Sequence, residues 1–532
     1  MSNDTVREID PNAPTSQPSP APAWAAPLVG VLAAAVGVGI GQLLAAIAGT
    51  ALPLDAVGSE FIDHTPKWLK VWAVDTFGTA DKTALRTGVV ITIVLLAACA
   101  GWASRRRPML GAALIAIAAI GGAVICARRP GQSASAAVAP LVGGTAAVWV
   151  LMRLSAFVRN AIPAQRPGRS KVPLGWDRRR FLVWTGGAAS VAAIGVASAR
   201  RLESQRIADL TADASAPLPS VEQPTVISET GPAGATLSPD TPFITANAGF
   251  YRIDTALSFP DLNINDWSVK IGGMVDNPIE LSYQDLLARP QVERTITIAC
   301  VSNDVGGDLI GTAVWQGVLL GDILKEAGVQ PGAEQVFSVS ADGWTCGFPV
   351  EAAFDGRDSM IAIGMNGESL PVMHGFPARL IIPGLYGYVS ATKWLSEIKV
   401  TTWAQDEGYW VPRGWAREAP IKTQSRIDVP RRGQSAVAGD VVIAGIAWAQ
   451  QRGVERVEVG IDGTWFEATL ATDVSNDAWR QWKYVWPATA GEYVVQVRAT
   501  DKNGETQTEQ VSRPDPDGAT GYHTRKISIR EA

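Results

Sequence analysis

Hydrophobic and polar residues divide the chain into an apolar first part and a mixed second part. Residues 1–24 are rich in Pro, Ser and Ala with scattered acidic residues, a composition that predicts a disordered tail. Residues 25–200 contain apolar runs that each approach the roughly 20 residues needed to cross a bilayer. These runs are Leu28–Ile47, Thr87–Ala103, Met109–Ala127, Ala136–Met152 and Phe181–Ala199. The pattern predicts a transmembrane anchor of about five helices over 25–200.

Basic residues between the apolar runs predict the orientation of this anchor. Arg105-Arg106-Arg107 follow the second run, and a basic cluster ending at Arg178-Arg179-Arg180 precedes the fifth. Because cytoplasmic connections carry an excess of Lys and Arg, both are predicted to be cytoplasmic, although Arg128-Arg129 go mildly against the rule. We therefore expect a multi-pass protein of the cell membrane, with a cytoplasmic N-terminal tail and everything after residue 200 extracytoplasmic.

The stretch Asp177-Arg178-Arg179-Arg180-Phe181-Leu182 resembles a twin-arginine export signal. Such a signal would carry the following domain across the membrane in folded form. An ordinary positively charged flank is the alternative interpretation, and both interpretations place the second part of the chain outside the cytoplasm.

Beyond the anchor, residues 201–240 are rich in Ser, Ala, Pro, Thr and Asp, which predicts an extended linker. Short β-rich runs then mix with short helices over 241–410, which indicates an α+β domain without regular βαβ repetition. Val318–Ala327 is predicted as a helix that Gly328 ends. The predicted strands are Trp267–Ile271, Thr295–Ala299, Gln335–Val339 and Ala378–Ile382.

From about residue 425 the pattern becomes β-rich. Val454–Ile461 and Tyr493–Ala499 alternate in polarity, and Asp462-Gly463 and Asn503-Gly504 are typical hairpin turns. Several tryptophans add large apolar side chains. We predict an all-β immunoglobulin-like sandwich over 411–532.

Charge and residue types exclude several functions. A net charge of −5 argues against a nucleic-acid partner. The apolar runs contain no histidine and the chain has no CxxCH motif, so no haem is expected. The runs also lack an acidic or histidine relay, which favours a tether over a transporter. The chain has no Gly-rich phosphate loop of the Rossmann or Walker type, so a nucleotide cofactor is not expected.

Cys300 is the first candidate for chemistry, because it directly follows the predicted strand Thr295–Ala299 and precedes Gly306-Gly307. A thiol presented at the rim of a sheet suits a metal ligand or a nucleophile. The chain has no CxxC motif, which argues against a zinc finger or a thioredoxin-like site. A disulfide between Cys300 and Cys346 stays open at this point.

Short motifs follow one another in order around Cys300. They are Phe250-Tyr-Arg252, Ala299-Cys300-Val-Ser-Asn303, Ile310–Trp315, Met365-Asn-Gly367, His374-Gly-Phe-Pro-Ala-Arg379 and Lys393-Trp394. Together these motifs resemble the sulfite oxidase family of molybdopterin oxidoreductases. Ala447-Trp448, Asp462-Gly463 and Trp479-Arg480-Gln-Trp482 resemble that family's C-terminal dimerisation domain. The resemblance covers about 245–530.

The resemblance implies a molybdenum–molybdopterin cofactor whose metal is held by the pterin dithiolene and by the thiolate of Cys300. A thiolate is a soft ligand suited to a redox metal, and the planar guanidinium of arginine suits the phosphate of the pterin. The implied cofactor-binding residues are Tyr251, Arg252, His374, Arg379, Ser390, Thr392 and Lys393.

The implied substrate site departs from the family pattern. Arg252 and Arg480 match basic positions of its anion pocket, so with Cys300 they are the predicted catalytic residues. However, Ile363 replaces a tyrosine and Asp304 stands where sulfite-oxidising members carry arginines. Fewer cations weaken the attraction of a pocket for a dianion such as sulfite.

The sequence thus predicts a membrane-anchored, extracytoplasmic molybdenum oxidoreductase. It would transfer an oxygen atom in a two-electron reaction, on a small oxyanion or an S- or N-oxide. A separate electron carrier, such as a cytochrome or a quinone-linked protein, and a homodimer are expected partners. The alternatives are a sulfite oxidase or dehydrogenase proper, and a membrane-tethered binding protein without cofactor. Joint retention of Cys300, His374 and Arg379 argues against the last.

Overall fold

The computed structural model describes residues 21–77, 81–159, 178–213, 217–222, 224–225, 237 and 241–531. Most of the predicted tail 1–24, most of 214–240 and the first residue of the twin-arginine-like stretch, Asp177, lie outside the described residues. The chain divides into two compact units, Met1–Gln205 and Arg206–Ala532. They are described one after the other.

The first unit is helical. Its helices are α1 (Ala25–Ala48), α2 (Pro53–His64), α3 (Lys67–Phe77), α4 (Asp81–Ser104), α5 (Pro108–Arg128), a 3₁₀ turn (Ala134–Ala137), α6 (Val138–Arg159) and the start of α7 (Arg178–Asp213). Among the described residues, five helical segments are long and apolar enough to cross a membrane, which confirms the predicted runs as helices. They are Ala25–Ala48, Lys82–Ser104, Pro108–Arg128, Ala134–Val158 and Arg179–Leu210. The two short helices α2 and α3 were not predicted.

Small residues allow α1 to pack closely against α4 and α6. A Cβ atom added to Gly30 would lie 1.9 Å from the carbonyl oxygen of Ala97, and one added to Gly101 would lie 2.2 Å from that of Ala26. Gly37 and Gly143 face each other in the same way. Small residues at helix contacts bring backbones together, as is usual for helices that associate in lipid.

The prediction of an extended linker from residue 201 is wrong for its first part, because α7 continues to Asp213. The residues that follow Ala199 include Leu202, Glu203 and Gln205 but neither Pro nor Gly, and good helix formers extend an existing helix without a new nucleation cost. Within the second unit, Leu210 and Leu218 pack into the core, and Pro219 accepts a 2.7 Å hydrogen bond from Gln316.

The second unit begins with two sheets. Its elements over 241–410 are β1 (Ser268–Gly273), β2 (Ile279–Ser282), α8 (Tyr283–Ala288), β3 (Val292–Ala299), β4 (Ile310–Leu319), α9 (Leu320–Ala327), β5 (Gln335–Ser340), β6 (Thr345–Pro349), β7 (Met360–Met365), β8 (Glu368–Ser369), β9 (Arg379–Ile381), α10 (Gly387–Ser390) and β10 (Leu395–Thr401). One sheet has the order β2-β1-β10-β5-β6, and the other has β3-β4-β7-β8 with β9 paired to β7.

The predicted strands and helix of this region are confirmed with small shifts at their ends. β1 and β10 pair in parallel, whereas the other pairs are antiparallel, so the domain is α+β. α9 begins at Leu320 rather than Val318, because β4 continues to Leu319. Gly328 ends the helix with φ 72°, a left-handed conformation that glycine adopts without steric cost.

The C-terminal region is β-rich. Its strands are β11 (Gln424–Val429), β12 (Ala436–Val437), β13 (Gly439–Trp448), β14 (Val454–Ile461), β15 (Thr464–Glu467), β16 (Thr469–Leu470), β17 (Arg480–Ala488), β18 (Gly491–Asp501) and β19 (His523–Arg530). Sheets β11-β13-β17-β16 and β12-β19-β18-β14-β15 share one buried apolar cluster. Asp462 and Gly463 join β14 to β15, both with positive φ, as a tight hairpin turn requires.

Contacts between the C-terminal region and β3 hold the strand that leads to Cys300. The amide of Thr297 donates to Asp477 O at 2.8 Å, and the amide of Trp479 donates to Thr297 Oγ1 at 2.7 Å. The indole of Trp479, almost fully buried, donates to Phe243 O at 2.8 Å. The C-terminal region, which also bonds to Phe243 through Trp479, thus helps to hold β3 in position.

Candidate functional site

Cys300 lies directly after β3, at the start of a loop that returns to β4. Its amide donates to Leu309 O at 2.9 Å, and Asn303 Oδ1 accepts from the Leu309 amide at 2.8 Å, which closes the loop. The thiol is buried, and burial raises its pKa against the opposing effect of Ser302. Both Cys300 and Cys346 are free thiols, so the disulfide that the sequence left open is not formed.

Arg379, on β9, is a buried cation without a carboxylate partner among the described residues. It is 5% exposed, donates to His374 O at 3.0 Å and to Ala391 O at 3.4 Å, and lies over the ring of Trp315. Its Nε atom is buried and has no described hydrogen-bond partner. Burial lowers the pKa of Arg379 to about 10.

Two further cations share one carboxylate beside Arg379. Lys393 Nζ donates to Asp254 Oδ2 at 2.6 Å, and Arg252 Nε donates to the same oxygen at 2.8 Å. Burial lowers the pKa of Lys393 to about 8, in spite of the opposing charge of Asp254. The cluster of Arg252, Arg379, Lys393 and Asp254, called the cation cluster below, therefore carries an excess of positive charge.

His374 is neutral at physiological pH. Burial lowers its pKa to about 4, and the charges of Arg379, Lys393 and Arg252 lower it as well, in that order. Its Nε2 atom lies 3.0 Å from Asn247 O. Since a carbonyl oxygen only accepts, Nε2 carries the proton of the neutral ring.

Tyr251 lies within electrostatic range of both Cys300 and Arg379. Its ring stacks on Phe250 at 5.3 Å between centroids. Burial raises the pKa of Tyr251, the charge of a Cys300 thiolate raises it further, and the charge of Arg379 lowers it. The fold therefore brings together Tyr251, Cys300 and Arg379, which are far apart in sequence.

The predicted loop residues Ser390 and Thr392 hydrogen-bond to protein groups. Ser390 donates to Leu385 O at 3.1 Å and to Tyr386 O at 3.0 Å. Thr392 lies 2.7 Å from Ser338 Oγ and 3.0 Å from Cys346 Sγ. Both residues are buried in the segment that leads to Lys393, so their side chains shape the backbone of this segment.

The two predicted arginines of the anion pocket are separated. Arg252 belongs to the cation cluster and lies over Phe259 at 4.4 Å. Arg480, on β17, donates to Ala471 O at 2.8 Å and to Val454 O at 2.9 Å, both in the C-terminal region. Its hydrogen bonds connect it to neither Cys300 nor the cation cluster.

Sequence reasoning missed two residues of the site. Asp254, the carboxylate of the cation cluster, lies two residues after Arg252, and this proximity was the available signal. Tyr386 was not predicted as a site residue, although it lies in Pro383-Gly-Leu-Tyr-Gly387, the stretch that continues the His374–Arg379 motif of the resemblance. Within the described ranges, no group of three or more His, Cys, Asp or Glu side chains is arranged to hold a metal ion. A metal at Cys300 would thus take its other ligands from a cofactor.

Comparison with known proteins agrees with this geometry. Residues 256–410 match the family model described as "Oxidoreductase molybdopterin binding domain". Sulfite oxidase of Gallus gallus is 30% identical over 321 residues, which cover 51% of this chain and 69% of that protein. The uncharacterized oxidoreductase YuiH of Bacillus subtilis is 36% identical over 167 residues, which cover 30% of this chain and 81% of that protein. The chain belongs to the sulfite oxidase family of molybdopterin oxidoreductases.

Membership of this family makes the protein an oxidoreductase with a molybdopterin-binding domain. The family match contains Cys300, His374 and Arg379, whereas Tyr251 and Asp254 precede it and Arg480 follows it. Human mitochondrial sulfite oxidase is 29% identical over 321 residues, which span 58% of its length and 51% of this chain. Among solved structures, the sulfane dehydrogenase SoxCD of Paracoccus pantotrophus is similar at 23% identity and a TM-score of 0.48, over 60% of this chain and 92% of that one.

Proposed function

We propose that this protein is a membrane-anchored, extracytoplasmic molybdenum oxidoreductase that transfers an oxygen atom in a two-electron reaction. Its substrate would be a small oxyanion or an S- or N-oxide. The observation that carries the proposal is the combination of one buried thiol, Cys300, with the cation cluster, in which Arg379 and Lys393 are buried and Asp254 is the one carboxylate.

The residues present fit the molybdopterin cofactor. Burying a cation without a partner costs several kcal/mol, and Arg379 has neither a carboxylate partner nor a partner for Nε in the described structure. An anionic phosphate group would supply both. Arg379, Lys393 and Arg252 would hold it, with Tyr251, His374, Ser390 and Thr392 around the pterin.

Cys300 suits a metal ligand better than a nucleophile. A nucleophilic cysteine usually has a lowered pKa and a neighbouring base, whereas burial raises the pKa of this thiol and the ring of His374 is bonded to Asn247. A metal ion favours the thiolate and releases its proton. When bound, the cofactor would supply the two-electron redox change, while the protein positions the substrate and excludes water.

The helical first unit supports the proposed membrane location. Several large apolar side chains on its long helices are exposed, including Trp102 at 63%, Ile117 at 67% and Val183 at 68%. Contiguous exposed apolar surface is unfavourable in water and favourable in lipid. The proposal places the N-terminus in the cytoplasm and the second unit outside, as the distribution of basic residues indicates.

The C-terminal region is proposed to be an immunoglobulin-like dimerisation domain. Two sheets that share one apolar cluster support the sandwich, and the motifs around Trp448 and Trp479 support the relationship. A homodimer and a separate electron carrier, either a cytochrome or a quinone-linked protein, complete the proposal.

The test is metal and pterin analysis of the full-length protein from a host that makes the cofactor. We expect molybdenum and pterin in the wild-type protein, and loss of oxygen-transfer activity in Cys300→Ala. Cys99→Ala, at an exposed cysteine of the first unit, is the matched control and should behave as wild type. A wild-type protein without molybdenum would favour the tethered binding protein, and full activity of Cys300→Ala would refute the ligand assignment.

A further inference from the structure

The loop Cys300–Leu309, which joins β3 to β4, closes on itself beside the thiol. The Asn303 amide donates to Cys300 O at 3.1 Å, and the Cys300 amide donates to Leu309 O at 2.9 Å. A Cβ atom on Gly307 would lie 2.6 Å from Asn303 Oδ1, so the turn of the loop packs directly on the residue that bonds to Cys300. A displacement of Gly307 would therefore also displace Asn303, and through it Cys300.

Arg426, on β11, holds the turn of this loop from the C-terminal region. Its Nη1 atom donates to Gly307 O at 2.8 Å, while its Nε atom donates to Asp428 Oδ1 at 2.6 Å. Asp428 also accepts from Thr241 Oγ1 at 2.9 Å. Because a planar guanidinium donates to two acceptors in fixed directions, the pairing with Asp428 orients Arg426 toward Gly307.

His523, the first residue of β19, packs against the neighbouring residue of the same turn. A Cβ atom on Gly306 would lie 2.4 Å from both Cδ2 and Nε2 of His523, so only glycine leaves room for the ring. The Ile427 amide donates to His523 Nδ1 at 2.9 Å, and Nε2 therefore carries the proton of the neutral ring. Burial lowers the pKa of His523 to about 4, and the charges of Arg525 and Arg426 lower it as well. The ring is thus neutral at physiological pH and keeps its acceptor for Ile427.

The two contacts form one unit, because Ile427 follows Arg426 directly on β11. Its bond to His523 fixes the ring beside the guanidinium, and the two side chains contact successive residues of the turn, Gly306 and Gly307. Arg426 and His523 are called the latch below.

We propose that Arg426 and His523 are positioning residues, which hold the loop Cys300–Leu309 against the C-terminal region and so keep the Cys300 thiol in place and shielded from water. The inference rests on the proposed function in that Cys300 is there the metal ligand. The thiol is only 8% exposed, so opening of the loop is its route to solvent. The C-terminal region thus takes part in building the site.

Loss of either contact should open the loop more often without unfolding the domain. The latch is polar, whereas the second unit is held together by its apolar clusters. Removal of one hydrogen bond shifts a local opening equilibrium about tenfold. Hydrogen exchange of backbone amides reports such local openings separately from global unfolding.

The experiment measures hydrogen exchange of the loop amides by mass spectrometry, in full-length protein from a host that makes the cofactor. The wild type is compared with Arg426→Met, Arg426→Lys and His523→Leu. The lysine variant keeps a cation for Asp428 but lacks the fork that also reaches the loop, so it separates loss of the latch from loss of the ion pair. Arg498→Met, at a partly buried arginine of β18 that pairs with Glu458, is the matched control.

A second readout is alkylation of individual cysteines by iodoacetamide in the cofactor-free, full-length protein. Cys300 reports opening of the loop, and Cys346, a buried free cysteine of the same unit, reports global unfolding. This readout requires neither metal nor turnover. Molybdenum and pterin contents of the loaded proteins are measured alongside.

We expect the three latch variants to speed exchange of the loop amides about tenfold, and alkylation of Cys300 by a similar factor. Cys346 should react as slowly as in the wild type, and Arg498→Met should match the wild type at Cys300 and in the loop. Unchanged loop exchange in the latch variants would overturn the proposal. A parallel rise at Cys300 and Cys346 would also overturn it, because the two residues would then serve global stability alone. Absence of molybdenum from the wild type would instead refute the proposed function, while exchange and alkylation would still decide the role of the latch.

Discussion

Replacement of Arg379 by methionine should separate a residue that serves the cofactor from one that serves the fold. Lowering the pKa of Arg379 from 12.5 to about 10 corresponds to a burial penalty of roughly 3 kcal/mol for the charged form. The hydrogen bonds to His374 O and Ala391 O offset about 3 kcal/mol of this penalty in total. The bond to Ala391 O contributes the smaller share because it is long. We therefore expect Arg379→Met to change the stability of the cofactor-free protein little.

The cofactor-bound protein should respond very differently. Removal of the guanidinium would delete at least one charge-assisted contact to the pterin phosphate, worth about 3 kcal/mol, or about a hundredfold in affinity. The assay is thermal unfolding of the full-length protein with and without cofactor, together with pterin content after purification. Arg289→Met, at a partly buried surface arginine that pairs with Glu326, is the control and should retain the cofactor.

Two results would refute this reasoning. A cofactor-free Arg379→Met protein that unfolds far below the wild type would show that the protein itself needs the cation. Full pterin content in the same variant would show that the phosphate binds elsewhere.

The remaining predictions concern the pH dependence of cofactor binding and the boundary of the second unit. Lys393 has a lowered pKa of about 8 in the cofactor-free protein, so it is charged below pH 8 and loses its charge as the pH rises above 8. The affinity for the cofactor, measured by reconstitution, should therefore fall above pH 8. Lys393→Met should bind the cofactor weakly at every pH, and a wild-type pH profile in this variant would contradict the assignment. A fragment of residues 241–532 should be less stable than one of residues 206–532, because it lacks the apolar contacts of Leu210 and Leu218; loss of one buried leucine side chain costs about 2–5 kcal/mol. Equal unfolding temperatures of the two fragments would show that these contacts contribute nothing.

Much of the local structure could be predicted from the sequence because it depends on neighbouring residues. The five apolar runs, the strand before Cys300 and the end of α9 at Gly328 follow from hydrophobic periodicity and backbone preference. The family could also be predicted, since its motifs retain their order along the chain. The extended linker was wrong for 201–213, because the composition was averaged over all of 201–240 and this part continues the helix α7.

The sequence by itself therefore determined the elements, their order and the presence of a thiol and several cations suited to a molybdenum cofactor. Only the tertiary structure decided which charges meet. It pairs Asp254 with both Arg252 and Lys393, leaves Arg379 without a carboxylate and directs Arg480 to backbone carbonyls. It also packs Gly387 against Ala299, the residue before Cys300. Electrostatic interactions depend on distance and burial, which local sequence patterns do not specify, so the charge of the site emerges only when distant strands pack together.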